Sequence, residues 1–227
     1  MLLLVLALAP AFAIIVYIYI KDKYEREPVG LLLKNVALGA SASVLITFFL
    51  GAFGNWFLPV SNPMSVLQQF IKAFVVVALV EEFSKYVIVR YYAQRNNEFD
   101  EPFDGIVYAV MVAMGFAALE NILYVFQYGV SNGVLRAFTA VPAHATFAVL
   151  MGYFMGKAKF SKTLNQKIRL NLTGLFTATL FHGVYDFFLY INYIPGLSIG
   201  AFLSLAIGLF LAKRAIDKHQ NSSRFKY

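Results

Sequence analysis

Two adjacent carboxylates, Glu81 and Glu82, stand in a run of the chain otherwise apolar enough to cross a bilayer, Val77-Ala78-Leu79-Val80-Glu81-Glu82-Phe83-Ser84-Lys85-Tyr86. An ionisable residue at the centre of a membrane helix costs roughly 2.5–3.5 kcal/mol on insertion scales, so a chain that keeps several is using them. Glu120, His144, His182 and Asp186 interrupt later hydrophobic runs. Carboxylates and imidazoles are the groups that activate a water molecule, either directly as general bases or through a metal ion they hold.

Spacing says which of these side chains meet. Neighbours in a helix diverge by roughly 100°, so Glu81 and Glu82 point apart, whereas Lys85, four and three residues on, shares a face with each. One carboxylate can then pair with the ammonium while the other is left freer as a base; the structural alternative is a buried ion pair beside one protonated Glu. Glu120 is followed by Asn121, an amide able to orient a water, a metal ligand or a charge, or to join helices by hydrogen bonding. Asp186 follows His182 by one helical turn, the arrangement in which a carboxylate fixes an imidazole's tautomer and raises its basicity. His219, in the charged tail, reads as solvated surface. The acidic pair is expected to be needed for activity and not for folding.

These residues need a membrane bundle to position them. With 60% hydrophobic and 14% charged residues among 227, the chain is a polytopic membrane protein of all-α class. Seven windows suit spanning helices, 2–20, 30–53, 67–92, 105–128, 134–156, 168–190 and 196–213, and residues 1–227 form one integral-membrane domain. The first run carries no positive charge before it and continues through Ile20 to Lys21, so it reads as a retained helix. Placing odd-numbered connections in the cytoplasm gathers most of the 19 basic residues there and leaves Arg136 alone in an outside loop. That gives an outside N-terminus and an inside C-terminus. The net charge of +7 is thereby explained by anionic headgroups and needs no nucleic-acid partner. Cysteine is absent, which excludes disulfides, thiolate metal sites and a cysteine nucleophile. Gly152 with Gly156, and Gly39 with Ser43, read as packing seams.

On this topology Glu82 lies nearer the inner end of its helix, while Glu120, His144 and His182 lie nearer outer ends. An assembled site requires the third helix to be shifted or tilted, bringing the acidic pair to both histidines in one water-reachable cavity open to the extracytoplasmic side.

Absent motifs narrow the chemistry. His-Glu-x-x-His and Gly-x-Gly-Asp are missing, while Gly39-Ala40-Ser41-Ala42 matches the short Gly-x-Ser-x string of rhomboid-like serine proteases and keeps Ser41 as an alternative nucleophile. A proton- or cation-coupled transporter or channel could use the same Glu, His and Lys as a relay, although no internal repeat or pair of broken helices is visible. A catalytically dead scaffold would lack acidic or histidine positions, and none is missing.

In sequence order, Tyr24-Glu25-Arg26-Glu27-Pro28, Glu81-Glu82-Phe83-Ser84-Lys85, Phe103-Asp104-Gly105-Ile106-Val107-Tyr108, Gly115-Phe116-Ala117-Ala118-Leu119-Glu120-Asn121, His144-Ala145, Met151-Gly152 with Gly156-Lys157-Ala158, and His182-Gly183-Val184-Tyr185-Asp186 resemble the PrsW family of intramembrane proteases. That family is related to the CAAX-prenyl and bacteriocin-processing group. The resemblance implies a multi-pass enzyme of the bacterial plasma membrane that makes the site-1 cut in a single-pass anti-sigma factor, leading to release of a stress sigma factor. By the same resemblance Glu81 and Glu82 are the acidic pair and His144 and His182 the histidines; Glu120 or His144 fills the role of the wider group's second motif. Lys85, Asn121 and Asp186 support them. Two mechanisms remain open: a divalent metal, zinc first among candidates, held by His144, His182 and Glu120; or a metal-free reaction in which Glu81 or Glu82 takes the proton from water and the histidines with Asn121 stabilise charge.

Overall fold

A computed structural model describes residues 2–226, and every regular element within them is helical. In chain order these are α1 (Leu2–Lys21), α2 (Val29–Phe57), α3 (66–91), α4 (Asp104–Phe138), α5 (Ala140–Lys159), α6 (Leu164–Tyr190) and α7 (Ile199–Asn221). Ser65 and Thr163 begin α3 and α6 as N-caps, their side chains accepting the backbone N–H of Gln68 and Gln166.

Four stretches are apolar and long enough to cross a membrane: Leu3–Lys21, Val29–Phe57, Asp104–Lys159, which takes in both α4 and α5, and Ile199–Asn221. α3 and α6 fall outside that set; they carry Glu81, Glu82, Lys85, His182 and Asp186, the side chains that lower their hydropathy. The apolar stretches divide into a centre and a jacket. About 72% of the α4–α5 window is buried, against 11% for α2, whose Phe48, Phe49 and Trp56 stand exposed as lipid-facing side chains would.

Small residues let backbones approach at the centre. Gly105 on α4 lies against Gly152 and Gly156 on α5, and Gly39 on α2 and Gly115 on α4 each face a carbonyl of the other helix, leaving no room for a Cβ. The Gly39 and Gly152/Gly156 seams expected from sequence are therefore real, and their partner in both cases is α4.

Three departures from regular α-helix set the site. α2 and α3 contain π-helical stretches, Gly39–Ser43 and Lys72–Ala78. An extra residue in a turn rotates everything downstream by about 100°, so the stretch before Leu79 resets which way Glu81 and Glu82 face. The third is in α4, where Gly129 has φ 80° and ψ −170°, a conformation open in practice to glycine alone. The helix breaks there and doubles back. This corrects the expected boundaries of the fourth and fifth windows: helical structure continues past 128 to Phe138, and α5 begins at Ala140. Arg136 lies in the returning segment and not in a loop.

A further correction concerns His219. It is 3% exposed and stacks on Tyr153 at 4.4 Å, because α7 packs its last turns against α5.

Candidate active site

Lys85 organises the site. Its Nζ donates to Glu82 Oε1 at 2.7 Å and to Glu81 Oε2 at 3.4 Å, and it lies 3.2 Å from His144 Nδ1. An ammonium only donates, so Nδ1 of His144 is the acceptor and the ring proton is on Nε2, which donates to Glu120 Oε2 at 3.0 Å. Glu120 is held from the other side by Arg136 Nη2 at 2.7 Å. On the far side of Lys85, Glu82 Oε1 accepts from His182 Nδ1 at 2.9 Å, and His182 Nε2 faces Asp186 Oδ2 at 3.5 Å. The two imidazoles are 5.3 Å apart, with Phe147 stacked on His182 at 4.9 Å and Phe116 edge-on to His144.

The acidic pair therefore reaches both histidines, as an assembled site requires, and its two members differ. Glu82 is sealed, 1% exposed, between Lys85 and His182, while Glu81 lines a cavity of about 510 Å³ with Glu120, Arg136, His144, His182 and Asp186. Ser84 locks this turn of α3: it donates to the Glu81 carbonyl, so it must accept from Ser43, at 2.7 Å, as well as from Thr47 at 2.9 Å. Because Glu82 is sealed, its loss is expected to strand a buried ammonium and to cost stability as well as activity.

Asn121 does not enter the cavity. Its amide donates to the Ala7 carbonyl and accepts from Arg136 Nε, so it aims the guanidinium that holds Glu120. Ser41 is equally remote from the chemistry: it is exposed, and its hydroxyl donates to the Ala37 carbonyl at 2.6 Å, the ordinary helix back-bond.

Arg136 was missing from the sequence-based candidates. In an uninterrupted helix it would lie roughly 24 Å along the axis from Glu120, and only the break at Gly129 joins them. The sequence does carry a trace of it, as the one basic residue that breaks the inside-positive pattern. Gly129→Ala is accordingly expected to cost about 1–3 kcal/mol from backbone strain alone, since nothing lies near the added methyl, and to slow cleavage by loosening Arg136. Thermal unfolding in detergent together with a cleavage assay checks both effects.

Glu81, Glu82, His144 and His182 each offer a ligand atom, all within 4.8 Å of one another. Two imidazoles with carboxylates suit zinc or a similar borderline divalent ion. The His144 Nδ1 lone pair is turned into this group, where it accepts from Lys85, and Glu82 Oε2 is buried without a partner. The residues fit a divalent metal, whose charge would take the place of the Lys85 ammonium that they now share. Glu120 is outside this group. In the expected ligand set of His144, His182 and Glu120, the Glu120 carboxylate here accepts from His144 Nε2 and orients that ring.

Buried carboxylates and imidazoles converge on a cavity inside a lipid-facing helix bundle, an arrangement suited to hydrolysis within the membrane. The family model for PrsW family intramembrane metalloprotease matches residues 27–212, and the chain belongs to that family. "Protease PrsW" of Geobacillus kaustophilus is 38% identical over 200 residues, covering 86% of this chain and 83% of the relative. Those of Clostridioides difficile, 34% identical over 84% of this chain and 80% of the relative, and Bacillus subtilis, 35% identical over 80% of each, are similar. No solved structure matches. The protein is thus a protease and a multi-pass bacterial membrane protein, acting on membrane-protein substrate in a lipid environment, and the transporter, scaffold and serine-protease alternatives fall away.

Proposed function

We propose that this chain, a single integral-membrane domain with seven spans, its N-terminus outside and C-terminus inside, makes the site-1 cut in a single-pass anti-sigma factor on the extracytoplasmic side. The observation that carries the hydrolytic part is the convergence of Glu81, His144 and His182 from three helices on one cavity, with Glu82 clustered beside them but sealed from it. Glu81 is the general base: of the two glutamates it alone lines the cavity, and Lys85 lies close enough to orient it. Glu82 holds His182, and Glu120 holds His144, so each imidazole has a fixed orientation. Arg136, which also lines the cavity, faces the developing negative charge on the peptide oxygen. A divalent cation held by His144, His182 and a glutamate would supply an acidified water and a polarised carbonyl.

Co-expression with candidate single-pass anti-sigma factors tests the substrate. A shortened product is expected with wild type and not with Glu81→Gln; if a generic membrane peptide is cut while every anti-sigma candidate survives, the substrate assignment is wrong and the protease stands. Elemental analysis tests the metal. About one equivalent is expected, reduced in His144→Ala and in His182→Ala; active, chelator-resistant enzyme without metal assigns water activation to the glutamate alone. Asp186→Asn is expected to lower the cleavage rate by only about 10–100-fold, because Asp186 tunes His182 without replacing it.

A further inference from the structure

A second group of carboxylates lies at the opposite end of α4. Glu25 and Glu27 come from the connection between α1 and α2, and Asp104 from the first turn of α4; each offers an oxygen within 4.8 Å of the others. Asp104 precedes Glu120 by 16 residues, or about 24 Å of helix, so this group is separate from the proteolytic site.

In Glu27 and Asp104 one carboxylate oxygen has a partner and the other does not. Glu27 Oε2 accepts from the Tyr108 hydroxyl, and Asp104 Oδ2 accepts the backbone N–H groups of Asp100 and Glu101, both at 2.7 Å. Glu27 Oε1, Asp104 Oδ1 and Glu25 Oε2 are buried and have no hydrogen-bond partner. Glu27 is 2% exposed and Asp104 fully buried. Asp22, 1% exposed, adds another: its Oδ2 accepts from the Glu27 N–H while Oδ1 is unpartnered. Buried polar atoms are almost always satisfied, so several orphaned oxygens turned into one place call for a ligand.

No basic side chain supplies the charge. Among the described residues no Lys or Arg lies within ion-pair distance of Asp22, Glu25, Glu27 or Asp104; Arg224 pairs with Asp100 at the exposed edge, and Lys159 donates to the Gln94 and Asn96 carbonyls. One proton shared between two carboxylates would still leave the third charged and unpaired.

We propose that Glu25, Glu27 and Asp104 form a second cation site, for a hard divalent ion of the Mg²⁺, Mn²⁺ or Ca²⁺ class, that ties the α1–α2 connection to the start of α4. The donor set is all oxygen, which selects such ions over zinc. The oxygens all lie within 4.8 Å of one another, inside the span that ligands about 2.4 Å from a single ion can cover. Because α4 is the helix against which α1, α2 and α5 pack, an ion here fastens the jacket to the centre at the end remote from the reaction.

The test uses purified full-length protein in detergent, stripped with a chelator and titrated with Mg²⁺, Mn²⁺ or Ca²⁺. Saturating ion, at roughly 100 times Kd, is expected to raise the unfolding midpoint by about 5–10 °C. Tb³⁺ reports the same site directly, since Tyr108 on Glu27 sensitises its emission and Ca²⁺ should displace it. Glu27→Gln and Asp104→Asn should remove both signals, whereas His182→Ala should retain them. Should the two buried variants fail to fold, Glu25→Gln, at the more open edge, is expected to fold and to weaken binding about tenfold or more. Absence of a saturable midpoint shift and of Tb³⁺ emission in wild type, or binding unchanged by Glu25→Gln, overturns the proposal.

Discussion

Glu81→Gln is expected to give protein that inserts and folds normally yet cleaves its substrate about 10²–10⁴-fold more slowly. Glutamine keeps the size of the side chain and an oxygen for Lys85, and Lys85 keeps its shorter bond, at 2.7 Å, to Glu82. What is removed is the basicity of the one member of the acidic pair that reaches the cavity. The readout is the rate of appearance of the shortened product, normalised to the amount of enzyme in the membrane. A variant that cleaves at the wild-type rate would exclude Glu81 as the base and move that role to Glu120, the other glutamate lining the cavity.

Much of this site was legible because membrane burial makes polar residues conspicuous. Glu81, Glu82, Lys85, Glu120, His144, His182 and Asp186 are each marked in sequence by standing where lipid or packing should demand an apolar side chain, and the structure brings all seven to one region. Local spacing also gave the pairs within one helix, Glu81 and Glu82 with Lys85 and His182 with Asp186. Relations that depend on backbone irregularity were not readable. The π-helical stretch of α3 determines that Glu81 faces the cavity and Glu82 the protein, and no residue in Lys72–Ala78 announces it. Gly129 looks like any membrane-helix glycine until its φ is known, so Arg136 passed for a loop residue; of the two readings of Asn121, the hydrogen bond that joins helices is the one present. The chain's hydropathy likewise finds the apolar jacket more readily than α3 and α6, since the helices that do the chemistry are the ones the chemistry makes less apolar.

The other large effect is on stability, and it separates Glu82 from its neighbour. Glu82→Ala should destabilise the protein by about 3–5 kcal/mol, because it leaves the Lys85 ammonium, itself 2% exposed, without its closest partner and also releases His182. Lys85→Met alone should do comparable damage, since Glu81 and Glu82 are then left without the cation between them. Neither loss measures what the pair contributes; each measures a charge abandoned in a medium that cannot solvate it. Glu82→Gln combined with Lys85→Met removes a positive and a negative charge together, and should recover a large part of the thermal midpoint lost by either single change. Cleavage should stay absent in the combined variant, because Glu81 then lacks its orienting ammonium and His182 its fixed acceptor. Midpoints for the wild type, Glu82→Gln, Lys85→Met and the double variant close a cycle whose coupling term reports the pair directly. Additive losses would mean that the two side chains do not meet as drawn, while recovery of the midpoint without recovery of cleavage would show that this buried charge is kept for the reaction and not for the fold.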